Sequence, residues 1–501
     1  MRLTTLRKTF VDNFKDPVMR TKVLALIGGK AIGLTLLLTA MGLYLGGGVH
    51  AQVPAAPAGP TPEMNAINTS WTLIAAFLVF GMQVGFVMLE AGFARSRESI
   101  NILVEGIVDT CICGVTFWAW GFAFMFEDGS GFIGKHGFFL KGLAETYGST
   151  GVPLLAFWVF QFAFADTCST ITSGAMVGRC GFIGDILYSI GVTGFIYPII
   201  GHWAWGPDGW LNTLSTPFHD FAGSTVVHTI GGAISLAGAV ALGPRLGRVF
   251  ARDGGGPMLP HNIILGAVGG LILWFGWYGF NPGSTLSALD ASGIGRVSFN
   301  TTMAACSAGL AALFYAYFRV GKWDLGLTTN GFLAGLVAIT CPCYWVSPTG
   351  AFFIGVVAGV VVIWAIDLLE YLRIDDPIGA VPVHMVAGIW GTLSLGLFAT
   401  GQYGAPTATG ADVTTAGIIV KGWFYGGGSA QFVAQAIGSG AITLATLVVA
   451  FILMYAVKAT GTLRISREGE LEGLDLHEHG MVAYPEYVIH DYQPKPSLSK
   501  H

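Results

Sequence analysis

The sequence predicts an all-α polytopic membrane protein of eleven transmembrane helices, arranged as two inverted five-helix repeats plus an eleventh helix. Three observations carry this. Of 501 residues, 53% are hydrophobic and only 11% are Asp, Glu, Lys or Arg, with mean hydropathy +0.64, whereas soluble domains carry about 25% charge. Apolar runs of about 20 residues, each enough to cross a bilayer core, recur along the chain with short polar breaks between them. Finally, two nine-residue stretches align without a gap, DFAGSTVVH (Asp220 to His228) and DPIGAVPVH (Asp376 to His384). They share the Asp, a Gly (Gly223, Gly379), a Val (Val227, Val383) and the closing His, and a further Gly follows each (Gly232, Gly388).

Taken in order, residues 1–51 open with Arg2, Arg7, Lys8, Lys15, Arg20, Lys22 and Lys30, continue as an apolar run from Ala31 to Leu45, and close on Val49-His50-Ala51. This pattern reads as a signal peptide, with a retained anchor helix as the other reading. The Ala/Pro-rich stretch that follows makes 52–66 a flexible mature N-terminus. Membrane segments then fill 67–460, roughly at 70–93, 101–125, 153–177, 182–205, 220–243, 260–283, 298–318, 325–345, 350–372, 377–400 and 431–457. Residues 461–501 form a polar tail.

Lys and Arg set the orientation. The breaks after odd-numbered segments hold Arg95, Arg97, Arg179, Arg245, Arg248, Arg252, Arg319, Lys322 and Arg373, whereas the others hold only Lys135, Lys141, Arg296 and Lys421. The richer side is cytoplasmic, which puts the mature N-terminus outside and the tail inside, in the inner (cytoplasmic) membrane of a cell. The two motifs open segments five and ten; five spans is an odd number, so the halves run in opposite directions. Eight helical residues rise about 12 Å. Two aspartates near opposite faces of a core about 30 Å thick therefore leave His228 and His384 close in depth, near enough for their rings to meet. An ionisable residue in such a segment marks a pathway or a polar partner. Asp220 and Asp376 read as structural caps, each accepting the orphan N–H groups of a first helical turn.

A net charge of -4 argues against nucleic-acid binding, which needs a basic face. The seven Cys include the pairs Cys111/Cys113 and Cys341/Cys343, but neither has zinc spacing, so no metal and no cofactor is expected.

These stretches, with MQVGFVMLEAGFARSR (Met82 to Arg97), GWYGFNPGS (Gly276 to Ser284), GWFYGGG (Gly422 to Gly428) and EGLDLHEHG (Glu472 to Gly480), resemble the ammonium transporter family (Amt/Mep/Rh), in its bacterial Amt branch. The resemblance implies a homotrimer with one pore per subunit. It makes His228 and His384 the pore pair, Phe164 and Phe280 a stacked gate, and Trp205, Ser284 and Phe164 an ammonium-recruiting site. A cytoplasmic tail answering to a PII-type regulator is implied too, whereas composition alone makes the tail a solvated segment. Spacing adds that Ser284 lies one turn beyond Phe280 if the helix continues past Pro282. It also turns Asp166, about 200° round from Phe164, away from the pore. The family commonly has Ala-Glu-Arg where Val177-Gly178-Arg179 stands, and Lys-Asn where Glu105-Gly106 stands.

The function expected is transport rather than catalysis. Ammonium sheds its proton at the mouth and crosses as ammonia, with or without the proton following, and methylammonium serves as an analogue. The rivals are an ammonium sensor acting through a partner with little flux, and a His/Cys metalloenzyme, for which zinc would need about four converging ligands.

Overall fold

The computed structural model describes residues 61–148, 150–412 and 419–485. The expected signal peptide (1–51) and most of the expected flexible stretch lie outside the described residues. Residues 62–66 of that stretch are helical. Thr61 caps them through Met64 N, and Pro62 stands at the first helical position, where a missing N–H costs nothing.

Among the described residues, ten helices are long and apolar enough to cross a membrane: α1 (Pro62–Phe93), α2 (Ser96–Phe126), α3 (Leu154–Gly174), α4 (Phe182–Thr213), α5 (Ser224–Leu242), α6 (Ile263–Thr285), α7 (Ala291–Val320), α9 (Pro348–Leu372), α10 (Val381–Phe398) and α11 (Ala430–Ala459). Between α7 and α9 lies α8 (Leu325–Thr340), apolar but only 16 residues long. The apolar run expected to carry it to 345 stops regular helical winding at Thr340, because Pro342 has no N–H to give the carbonyl of Ala338 and the chain passes into turns there. Side-chain caps open several helices: Asn262 accepts from Leu265 N at 3.0 Å, Asp290 from Gly293 N at 2.9 Å and Asp324 from Leu327 N at 2.8 Å. The strands described are three short antiparallel hairpins in the connections.

Helices α5 and α10 are the centre of the packing, and almost nine-tenths of the α5 window is buried. A Cβ on Gly232 of α5 would run into the backbone N of Met385, and one on Gly388 of α10 into the carbonyl of Ser224 and the Thr229 hydroxyl. Each motif's trailing glycine is thus the point where the other motif's helix crosses. Small residues allow backbones that approach, and here the approach brings the two closing histidines face to face.

The arginine-rich end is tied together by buried charge. Asp375 receives Arg245 N, Nε and Nη2, each at 2.9 Å. Arg179, fully buried, donates to Asp375 O at 2.6 Å and Gly243 O at 3.2 Å. Burial by itself raises the Asp375 carboxyl, yet the Arg245 hydrogen bonds and the charges of Arg179 and Arg245 hold it well below the usual carboxylate range. At position 178, where the family commonly has Glu, a Cβ would meet the Glu98 carboxylate, which is paired with Arg95. A carboxylate from the neighbouring helix end already occupies that place.

Over its described residues, 461–485, the polar tail is not a free solvated run. It forms two short helices, α12 (Arg467–Glu472) and α13 (Leu474–His479), docked on this end. Asp475 Oδ1 accepts from Asn101 N at 2.9 Å, Glu478 Oε1 from Phe182 N at 3.4 Å, and His479 Nε2 lies 2.9 Å from Asn101 Oδ1. Tail carboxylates therefore cap the turn at Ser99 where regular α-helical winding of α2 begins and the first turn of α4, where unpaired N–H groups and the helix dipole favour negative charge.

Candidate functional site

The two repeated motifs build matching local structures. Asp220 accepts four backbone N–H groups, those of Gly223, Ser224, Thr225 and Val226, at 2.8–3.0 Å. Asp376 accepts three, from Gly379, Ala380 and Val381, at 2.8–3.1 Å. Gly223 and Gly379 sit at φ +115° and +83°, a left-handed geometry that glycine adopts without strain. Each chain then enters a widened π turn, Ser224–Thr229 and Val381–Val386, and such turns cluster at functional sites. His228 N bonds back to Gly223 O at 3.0 Å, five residues earlier. Asp, Gly and His are thus successive parts of one device, and both aspartates are in the capping position expected of them.

At its centre His228 and His384 face each other, Nδ1 to Nδ1 at 3.2 Å, with ring centroids 5.3 Å apart and planes 24° from parallel. One neutral ring donates and the other accepts, so the accepting ring carries its proton on Nε2. His228 is wholly buried, and its Nε2 has no hydrogen-bond partner among the described residues.

Above His228 the column is aromatic. Phe280 stacks over it at 5.3 Å, and Phe164 stacks on Phe280 at 4.0 Å with planes 22° apart. Both phenylalanines are buried. Trp205 meets Phe164 edge-on at 6.2 Å and donates its indole N–H to Asp220 O at 2.8 Å, so the first motif's own loop holds it. Regular winding of α6 ends at Phe280, and Pro282–Thr285 is a 3-10 turn. That turn keeps Ser284 over Phe280, its hydroxyl bonded to Phe280 O at 2.7 Å. Trp205 and Ser284 are partly exposed while the stacked rings are not. Asp166 turns away, accepting from Thr110 Oγ1 of α2 at 3.0 Å.

Two further residues join the column without having been singled out from the sequence. Trp277 stacks on His228 at 5.1 Å and donates to Thr340 Oγ1 at 2.9 Å; its place three residues before Phe280 was the available signal. Glu90 and His384 line one cavity on the other side of the histidine pair, and the signal was a carboxyl inside an apolar run. Cys341 and Cys343 are buried free thiols whose sulfurs face His219 O and Thr340 O.

An aromatic stack leading into a buried imidazole pair, with a hydroxyl and an indole at one end, is suited to admitting a small cation at the surface and a small neutral hydrogen-bonding molecule beyond it. Over residues 70–484 the chain matches the Ammonium Transporter Family. It is a member of that family, and a multi-pass membrane protein. Amt2 of Archaeoglobus fulgidus is 40% identical over 437 residues, 85% of this chain and 90% of that protein. Ammonium transporter 1 member 3 of Solanum lycopersicum is 37% identical over 436 residues, 84% and 93% of the two. Among solved structures, one named Sensor Amt Protein aligns with TM-score 0.75 at 37% identity, covering 83% of this chain and 99% of that one. Candida albicans Mep2 aligns with TM-score 0.73 at 28% identity, covering 87% and 95%.

Proposed function

We propose that this protein moves ammonium across the cytoplasmic membrane by separating it from its proton. Ammonium is recruited between Trp205, Ser284 and Phe164. It gives up a proton there, and ammonia passes the Phe164/Phe280 gate and hydrogen-bonds to His228 and His384 on its way. The observation that carries this reading is the unbroken stack Phe164, Phe280, His228, His384. A bare cation in so dry a column loses hydration worth tens of kcal/mol in the idealised limit, and only an ion able to leave its charge behind escapes that cost.

The same reading takes α8 as an eleventh span, so that the motif helices belong to two inverted halves with the mature N-terminus outside. It makes 1–51 a signal peptide and 67–460 the membrane domain. The chain assembles as a homotrimer with a pore in each subunit, and 461–501 is a regulatory tail that meets a PII-type protein. Asp220 and Asp376 are structural, Asp220 also setting a weak negative field at the mouth. The test is methylammonium uptake by proteoliposomes holding the purified protein: uptake well above that of protein-free vesicles is expected, and none would sink the proposal.

A second reading is favoured by the likeness to the structure named Sensor Amt Protein. In it the chain binds ammonium at the same mouth and signals through a partner on the docked tail, with little flux. The same uptake measurement separates the two.

A further inference from the structure

Inside the histidine pair the column opens into a cavity bordered by Phe86, Glu90, Asn330, Ile378, Val383 and His384. Among the described residues that line it, Glu90 is the one carboxyl and there is no Lys or Arg. Its side chain is only 3% exposed. A carboxylate in such a place is costly unless it holds a proton or faces a cation. The single hydroxyl proton of Ser173 has a near acceptor in Thr170 O at 2.8 Å. The Glu90 carboxyl oxygens lie further from Ser173 Oγ, at 3.2 and 3.3 Å, beyond the 2.5–3.0 Å of a firm O–H···O bond, so Ser173 compensates a Glu90 carboxylate little. Asn330 donates its Nδ2 to Ile378 O at 3.2 Å, which leaves the amide oxygen to accept an N–H of a guest in the cavity.

We infer that Glu90 is the inner proton carrier of this pore, a catalytic residue that returns to ammonia the proton removed at the mouth, with the cavity as an inner site for the ammonium so formed. The inference rests on the transport reading above. Ammonia arriving past His384 takes the proton of the Glu90 acid: the carboxyl O–H bond breaks, a fourth N–H bond forms, and ammonium and a carboxylate remain. The carboxylate is then reprotonated from the histidine pair, which holds the proton given up by ammonium outside and returns to two neutral imidazoles. One ammonium is consumed outside, one is released inside and one positive charge has crossed, with no group used up.

The experiment pulses proteoliposomes of the full-length protein with ammonium, recording charge movement on a solid-supported membrane, and measures radiolabelled methylammonium uptake in the same preparation. Glu90→Gln, which keeps the shape of the cavity, is expected to cut the ammonium current about tenfold or more, as loss of a general acid–base group does, while uptake persists. Glu90→Asp should retain most of the current. A Gln variant with the full wild-type current overturns the inference, and so does one that folds but loses current and uptake together. Wild-type uptake without any current overturns it too while leaving transport intact, whereas neither uptake nor current in wild type brings down the transport reading itself. Should the Gln variant fail to fold, a carbodiimide applied to wild type is expected to modify Glu90 and abolish the current. An unmodified Glu90, or a modified one with full current, overturns the inference.

Discussion

His228 is held by contacts on every side: Trp277 and Phe280 against its faces, His384 at its Nδ1. Among the described residues neither imidazole pairs with a carboxylate, so the pair offers its hydrogen bonds to whatever passes. His228→Ala or His384→Ala should therefore leave a folded protein, destabilised by about 2 kcal/mol through the cavity left behind, with ammonium flux lowered at least about tenfold or its ion selectivity altered. Thermal unfolding and proteoliposome flux check the two halves of that statement, and wild-type flux and selectivity in both variants would refute the pore assignment. The pair was legible in the sequence because it closes a repeat. Trp277 was not, since in a chain with 14 Trp and 34 Phe an aromatic in an apolar run is by default core filler. Glu90 was hidden within a longer motif, and its partner Ser173 lies 83 residues away.

At the scale of helices, what positions the histidines is the crossing of α5 and α10 at Gly232 and Gly388. The atoms a Cβ would strike there are backbone, the Cβ of Met385 or a buried hydroxyl, which have no flexible end to swing aside. Gly232→Ala or Gly388→Ala should cost about 1–3 kcal/mol of stability by overpacking and depress flux by separating the rings. A melting temperature and a flux equal to wild type would mean that the crossing is looser than described. The shared glycines were readable from the repeat, but their role as reciprocal contacts needed the fold. Helix ends were read less well than helix middles. Pro342 shortened α8, and Pro282 converted the end of α6 into a 3-10 turn that nonetheless kept Ser284 where helical spacing put it. The tail's docking was not legible from composition, because its charged residues look solvated until the helix N-termini that they cap, 374 residues away for Asp475 and Asn101, are brought beside them. Asp475→Ala removes one such cap, worth about 1 kcal/mol, and should lower or deregulate flux in the direction that deletion of 461–501 does. Unchanged activity in both would leave the tail without a regulatory part.

Over the whole molecule, Lys and Arg are concentrated in the connections at one end and the column is buried and aromatic. Asp375, bound by Arg245 and lying against Arg179, has a folded-state pKa below that of the unfolded chain. Its contribution to stability is therefore fully present above the ordinary aspartate value, about 3.9, and is lost as pH falls below it. Asp375→Asn should lower the melting temperature at neutral pH and flatten its decline in acid; a wild-type acid limb in the variant would place that decline elsewhere. The column makes the larger claim, that charge recognition ends at the mouth formed by Phe164, Trp205, Phe280 and Ser284. Potassium resembles ammonium in charge and size but has no proton to leave behind, so a wet cation pore and a deprotonating pore treat the two ions differently. Recordings on a solid-supported membrane, with ammonium, methylammonium and potassium pulsed in turn onto the same proteoliposomes, test this most directly. The account predicts current or uptake with ammonium, passage or competition by methylammonium, and no response to potassium even in excess. A potassium current comparable to the ammonium current would contradict it.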